Sequence, residues 1–323
     1  MTKIAINGFG RIGRIFFRQA HEHQEFEVVA VNDLGTRENL EYLLKYDTVY
    51  GKYEKDIGNV QFLQEKDPAK LPWKDLGIDI VVESSGVFET AEKAKGHITA
   101  GAKRVVITSP AKDDVTPTAT PNVGMSALGE SQITSNASCT TNATNPVVSI
   151  MMNSVGIKKA MMTTVHANTA TQNTVDGPGG KDFRYGRAGA WNIIPSTTGA
   201  AKATTRIITE LKNKFDAVSV RVPIISGSLI DFTFLAGRET TVEEINNIFK
   251  KAAASKEWKD IVEATDEPLV SSDILGNPHG AIVDLGLTRV VDGDLVKVFA
   301  WYDNEWGYCA MLIKHLQEVT KLL

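Results

Sequence analysis

KIAINGFGRIG, residues 3–13, carries a short β-branched, apolar run straight into Gly8, Gly10 and Gly13 in the pattern G-x-G-x-x-G. That pattern is weak by itself and gains its force from what surrounds it. The amphipathic run RIGRIFFRQAHEH follows, and then a second strand-like segment, FEVVAVND, ends at Asp33, 20 positions beyond Gly13. In a βαβ unit that holds a dinucleotide, the glycines let backbone approach the pyrophosphate and the helix N-terminus stabilises its charge. A carboxylate at about this spacing meets the adenine-side ribose hydroxyls. Strand-like DIVVESSG, residues 79–86, and KRVVITSP, residues 103–110, flank the helical run FETAEKAKGHITAG and continue the alternation. The expected result is an α/β, Rossmann-type, doubly wound parallel sheet. A carboxylate at Asp33 repels the 2′-phosphate of NADP, and Leu34 rather than a cation comes next, so NAD is the favoured cofactor; Arg37 is the one nearby cation.

The rest of the composition narrows the class. At 323 residues, 42% hydrophobic and 23% charged, the chain reads as two globular domains. A net charge of −4 gives no electrostatic footprint for nucleic acid as a primary partner. No apolar run approaches the roughly 20 residues of a membrane span. Two cysteines are too few for a disulfide framework and the N-terminus carries no signal-peptide pattern, so the expectation is a cytoplasmic protein with no metal site.

One of those cysteines lies in SNASCTTN, residues 135–142. A buried structural thiol packs as a small hydrophobe, but Cys139 stands among Ser138, Thr140 and Thr141. The apolar run that follows has helix-like spacing with Pro146 near its first turns, which puts Cys139 at or near a helix N-terminus, where a thiolate is favoured. His166 ends the apolar run MMTTVH, 27 residues on. A cysteine beside an imidazole can form a thiolate–imidazolium pair in which histidine later exchanges protons with the substrate oxygen. Residues 168–191 lack periodicity and form a long loop carrying Arg184 and Arg187, of the kind that is functional or disordered. Thr197, Thr198 and Gly199 precede an alanine-rich helical run, an arrangement suited to an anion, and Arg221 stands between strand-like residues in SVRVP.

INGFGRIGR, VNDL, SNASCTTN, DGP, IIPSTTGAAKA, RVP and WYDNEWGY together resemble the phosphorylating glyceraldehyde-3-phosphate dehydrogenases, over nearly the whole chain. The resemblance implies that Cys139 attacks the aldehyde, that His166 handles the proton, and that inorganic phosphate releases 1,3-bisphosphoglycerate from a thioester. It implies an attacking-phosphate site at Ser138, Thr140, Thr198 and Gly199, a substrate-phosphate site at Thr169 and Arg221, and Arg187 in the anion region. Gly8, Gly10, Arg11, Ile12, Gly13, Asp33 and Asn304 become cofactor contacts, and Pro178 matches the NAD-preferring form. The implied organisation is an NAD-binding domain over residues 1–138 and 304–323 and an α+β catalytic domain with a mostly antiparallel sheet over 139–303. Met311, Leu312, Leu316, Val319 and Leu323, at helical spacing, return the C-terminal helix to the first domain. The assembly implied is a homotetramer. Departures from the common pattern include Ala143, Asn168 and Gly189; Asn168, between His166 and Thr169, bears most directly on substrate affinity. Erythrose-4-phosphate dehydrogenase and acyl-phosphate reductases such as aspartate-semialdehyde dehydrogenase are the enzyme alternatives. A non-catalytic NAD-binding protein leaves the Cys139/His166 pair unexplained.

Overall fold

A computed structural model describes residues 1–180 and 182–323. The chain forms two compact units, Met1–Ser138 with Cys309–Leu323, and Cys139–Tyr308.

The first unit is built on a six-stranded sheet in the order Gln61–Leu63, Phe26–Asn32, Thr2–Asn7, Ile80–Glu83, Arg104–Ile107, Ile133–Ser135. Every pairing in it is parallel. A parallel strand covered on both faces has no polar side to show, which is why IVVE and RVVI read as continuous apolar runs and are buried almost throughout. Helices Arg11–Ala20 and Ala91–Thr99 occupy the stretches where the periodicity places them. Thr90 caps the second, its hydroxyl accepting the Lys93 N–H, and Thr36 does the same for Arg37–Lys45. Within the C-terminal helix Trp306–Thr320, Met311, Leu312, Leu316 and Val319 are buried; Leu323 shares their spacing but lies past the last turn and is exposed.

The second unit carries a seven-stranded mixed sheet, ordered Ile194–Thr197, Phe215–Val222, Ile157–Ala167, Ser228–Ala236, Leu295–Tyr302, Ala281–Val291, Val262–Thr265. Four of its six pairings are antiparallel. Ser228–Ala236 alternates buried and half-buried positions with period two, the signature of a strand with one face on a core. Phe232 and Phe234, stacked at 5.1 Å, are buried on that face, and Phe249 is buried on helix Val242–Ala254. Helix Cys139–Ser154 opens the unit and begins at the cysteine itself. Pro146 therefore sits in the helix interior rather than its first turn, and the cost of the missing N–H is carried by the burial of Val147, Val148, Ile150 and Met151 around it.

Candidate active site

In the first unit the glycine loop is shaped by contact. Gly8 has φ +93°, and a Cβ there would fall 2.4 Å from the Ser85 backbone nitrogen. A Cβ on Gly13 would meet the Gly8 carbonyl oxygen at 2.2 Å, so only glycine lets helix Arg11–Ala20 start this close to the strand. Gly10 is different: a Cβ there meets nothing within 4 Å, and no side chain caps the helix it precedes. Open space at Gly10 and a helix start without a side-chain cap fit a dinucleotide pyrophosphate. The Asp33 carboxylate accepts the N–H groups of Phe9 at 2.7 Å and Gly35 at 2.8 Å. It holds the loop in place, and a carboxylate has more lone pairs than these two bonds use. Arg11 is paired with Asp47, and Ile12 is half-buried with its carbonyl 3.6 Å from the Cys309 sulfur. Cys309 is fully buried, an inert packing thiol.

In the second unit the cysteine and histidine come together. Cys139 Sγ lies 3.4 Å from His166 Nε2, with His166 buried at the end of strand Ile157–Ala167 and the cysteine at the first position of its helix. Just before it Ala137 adopts φ +56°, a left-handed conformation that costs a non-glycine residue on the order of 1 kcal/mol and turns the chain sharply into the helix. The Tyr302 hydroxyl bonds both the Thr140 hydroxyl at 2.9 Å and the Thr164 hydroxyl at 2.8 Å, and its ring meets the imidazole edge-to-face at 6.0 Å. Burial pushes the Tyr302 phenol far up, so it acts as a neutral brace for the helix start and the histidine strand.

Arg221 is the third member of this group. Its strand runs parallel to that of His166 in the register Arg221↔His166, and its Nη1 lies 2.6 Å from His166 Nδ1 and 3.1 Å from the Ala167 carbonyl oxygen. Its Nε is buried without a hydrogen-bond partner. Burial first, and the Arg221 charge second, push the imidazole down to about 3. Part of Cys139 reaches solvent, yet desolvation of its sulfur pushes the thiol up, against the opposing pull of Arg221 and the Thr140 N–H and hydroxyl. Burial thus works against the charged form of each partner, while the close approach of sulfur and ring nitrogen keeps the two within reach of proton exchange.

The remaining candidates are placed around their own anchors. Thr169 shares its hydroxyl with Thr171 and Gln172 in the long loop. Arg187 is exposed and ion-paired with Asp176 at 3.0 Å, an engagement with the loop's own carboxylate rather than with the cysteine–histidine pair. Pro178 is exposed, with its carbonyl near Asn173. Thr198 accepts the Ala200 N–H, and Gly199 stands uncapped ahead of helix Ala200–Ile207. Asn304 is buried and accepts from the Gly227 N–H and the Ser228 hydroxyl, which in turn accepts the Ala167 N–H. Ser138 directly precedes the helix. Tyr302 and Thr164 carry no role in the sequence reading; WYDNEWGY contains the tyrosine, but only the fold brings it to the histidine.

Two family profiles match the chain: "Glyceraldehyde 3-phosphate dehydrogenase, NAD binding domain" over residues 2–91 and "Glyceraldehyde 3-phosphate dehydrogenase, C-terminal domain" over residues 138–304. The chain is 46% identical over 341 residues to a glyceraldehyde-3-phosphate dehydrogenase of Mycobacterium bovis, covering 100% of this chain and 99% of the relative. It is 44% identical over 331 residues to glyceraldehyde-3-phosphate dehydrogenase 2 of Bacillus subtilis, covering 99% and 97%. With glyceraldehyde-3-phosphate dehydrogenase 1 of Streptomyces avermitilis the identity is 45% over 325 residues, covering 97% and 96%.

Proposed function

The chain belongs to the glyceraldehyde-3-phosphate dehydrogenase family, NAD-dependent phosphorylating oxidoreductases of glycolysis, and on that premise we propose the residues that do its chemistry. The reaction oxidises glyceraldehyde 3-phosphate to 1,3-bisphosphoglycerate with reduction of NAD. Cys139 is the nucleophile: its S–H proton is given up as the sulfur bonds the aldehyde carbon, the carbonyl π pair moves to oxygen, and that oxygen takes up the proton to give a thiohemiacetal. His166 Nε2, facing the sulfur, removes that hydroxyl proton in the oxidation. NAD, when bound at the glycine loop, supplies the hydride acceptor. Inorganic phosphate then attacks the resulting thioester; the C–S bond breaks and Cys139 leaves as thiolate. Ser138, Thr140, Thr198 and Gly199 hold the attacking phosphate, Thr169 and Arg221 hold the substrate's own, and Arg187 contributes positive charge to the anion region once Asp176 is displaced.

The assignment rests above all on the 3.4 Å approach of Cys139 Sγ to His166 Nε2. Mixing the protein with NAD and glyceraldehyde 3-phosphate without inorganic phosphate should give a burst of about one NADH per chain, and adding phosphate should turn it into steady turnover. Turnover indifferent to phosphate would remove the thioester from the mechanism.

We infer a homotetramer in the cytoplasm. No helix among the described residues is long and apolar enough to cross a membrane. Trp191 is 86% exposed and Phe183 83%, with Val175, Ile193, Met161 and Val218 also uncovered on the second unit. Large exposed apolar residues in such number favour burial against further copies of the chain. Sedimentation of the purified protein at a single mass near one chain would overturn the tetramer.

A further inference from the structure

The strands that carry His166 and Arg221 run, at their other ends, into a groove of about 1230 Å³. Its floor is a piece of the sheet whose central positions are apolar. Leu235 lies in register between Lys159 and Leu295, and Met161 between Asp216 and Thr233. Met161 is 68% exposed and Leu295 39%. One wall is cationic: helix Ala200–Ile207 carries Lys202 and Arg206 one turn apart, and the loop after it adds Lys212 and Lys214, all of them exposed. With Lys159 this makes five cations against one carboxylate, Asp216, on a chain whose net charge is −4. Among the described residues no ion pair ties down any of the four lysines. Like charges gathered in this way repel one another, and an anion entering the groove relieves the repulsion.

Volume and chemistry together define the anion. The groove exceeds the roughly 300–1,000 Å³ of small-ligand sites and has room for a stretch of polypeptide. The rings that line it, Phe215 and Phe234, are buried, so neither offers an open face for a nucleic-acid base. Four of the five cations are lysines, whereas planar, bidentate recognition of phosphate favours arginine. An exposed methionine beside lysines suits apolar side chains that can pack in more than one way. We propose that this groove docks an acidic, amphipathic segment of a partner protein, whose apolar side chains rest on Met161, Leu235 and Leu295 while its carboxylates face the cationic wall. A second copy of this chain set groove against groove would bring like charges together, which disfavours a self-contact here. Of the exposed apolar residues assigned above to assembly, Met161 alone lines the groove. Lys159 and His166 stand near opposite ends of strand Ile157–Ala167, roughly 20 Å apart at the usual rise per residue, so the docked segment lies away from the reacting groups.

The test is fluorescence anisotropy of the purified, NAD-loaded full chain with a fluorescein-labelled synthetic peptide of repeating Glu-Leu-Asp-Leu. Two further probes are compared with it: the same peptide with serine in place of leucine, and a single-stranded oligothymidylate of equal charge. Docking predicts that the leucine peptide binds at least about tenfold tighter than either and that its affinity falls as salt is raised. Lys212→Glu combined with Lys214→Glu should weaken it by about tenfold or more, and Leu295→Ser by several-fold. Lys212→Gln with Lys214→Gln removes the charge without reversing it; it should give an intermediate loss, and it covers the case in which charge reversal disturbs the fold. The kcat and KM for glyceraldehyde 3-phosphate should stay at wild-type values in these variants, whose changes lie outside the catalytic groups. Equal binding of the two peptides, tighter binding of the oligothymidylate, or an affinity indifferent to the lysine changes would overturn the proposal. So would a sedimenting mass that falls as the peptide binds, since a second copy of the chain would then be the groove's occupant.

Discussion

Each unit holds a histidine in a buried polar cluster, and the two clusters are built on opposite principles. In the first unit the Trp73 Nε1–H donates to His97 Nδ1 at 3.0 Å, and His97 Nε2 donates to Glu83 Oε2 at 2.9 Å. Asn7 donates to the same oxygen at 2.5 Å and accepts from Asn32 at 2.7 Å, while Glu83 Oε1 takes the Ser85 N–H at 2.9 Å. Each proton has one assignment, and the whole set ties the strand ends that carry the glycine loop. Around His166 the assignments conflict: one ring nitrogen is claimed by a donor and an acceptor, and a guanidinium nitrogen is left bare. A satisfied buried network rigidifies one structure; one that cannot be satisfied in a single state is a place where a ligand changes the answer.

The largest effects should separate the two clusters by what they damage. Cys139→Ser should lower kcat by about 10⁴-fold or more, and His166→Asn by about 10²- to 10⁴-fold, because a nucleophile and a general base are lost. Both should melt near the wild-type temperature. A His166→Asn variant that unfolds early while retaining most of its per-molecule activity would make that cluster structural and erase the contrast.

Glu83→Ala should do the reverse. It orphans donors from Asn7, His97 and Ser85 in a site only 2% exposed, at a cost of about 4 kcal/mol, to be read by denaturant unfolding. NAD affinity should fall with it, since Ser84 and Ser85 also pack on Gly8, while the single-turnover rate at saturating NAD should change little. A fall in kcat as deep as that of His166→Asn would mean that both clusters serve the chemistry.

Much of this contrast was legible in the sequence on one side only. The glycine loop, Asp33, and Cys139 at a helix start are local features, fixed by residues a few positions apart. Glu83 and His97 lay inside segments that read correctly as strand and helix, yet nothing in VVESSG or KGHIT distinguishes a buried carboxylate and imidazole from ordinary polar positions at element ends. Arg221 stood out as a cation between strand residues. Its contact with His166, 55 residues away, depends on two strands lying side by side in parallel register, with the strand Ser228–Ala236 on the far side of the histidine. Pairing order is a property of the sheet, not of any one segment, and with it came the guanidinium beside the imidazole.

A third buried histidine sharpens the comparison through pH. His315 bonds the Thr134 hydroxyl at 3.3 Å and is fully buried; burial, against a smaller opposing pull from the Ala119 backbone, pushes it down to about 4. In the unfolded chain the ring binds its proton near 6.5. Because the unfolded state then holds more protons, stability from this group is complete above about pH 6.5 and declines as pH falls toward 4, by up to about 3 kcal/mol. His315→Met should flatten that decline. Unfolding curves at pH 7 and pH 4.5 whose difference is the same in variant and wild type would show that the acid sensitivity lies elsewhere, with His166, pushed down to about 3, and His21, also pushed down by burial, among the groups of the same sign.

The smallest expected effect concerns the long loop beside the conflicted cluster. Two departures from the family pattern, Asn168 and Gly189, turn out to be neighbours: a Cβ on Gly189 would lie 2.7 Å from both the Nδ2 and the Oδ1 of Asn168. The returning limb of the loop passes close to that amide, and Gly189 is held there by its N–H bond to the Asn173 carbonyl at 2.9 Å. Gly189→Ala therefore has to push the amide aside. A side-chain amide can give way, so stability should change by no more than about 1 kcal/mol. Asn168 is bonded through its own N–H to Ile224 and is followed by Thr169, so the displacement is passed to a residue assigned to the substrate's phosphate. The expected reading is a KM for glyceraldehyde 3-phosphate raised a few-fold with kcat nearly unchanged, since the loss is of anchoring rather than of the base. Adding Asn168→Ala empties the space that the new methyl needs, and the double variant should recover most of the lost affinity. If the double variant is as impaired as the sum of the two single changes, the residues act independently, and the loop is seated by something other than this contact.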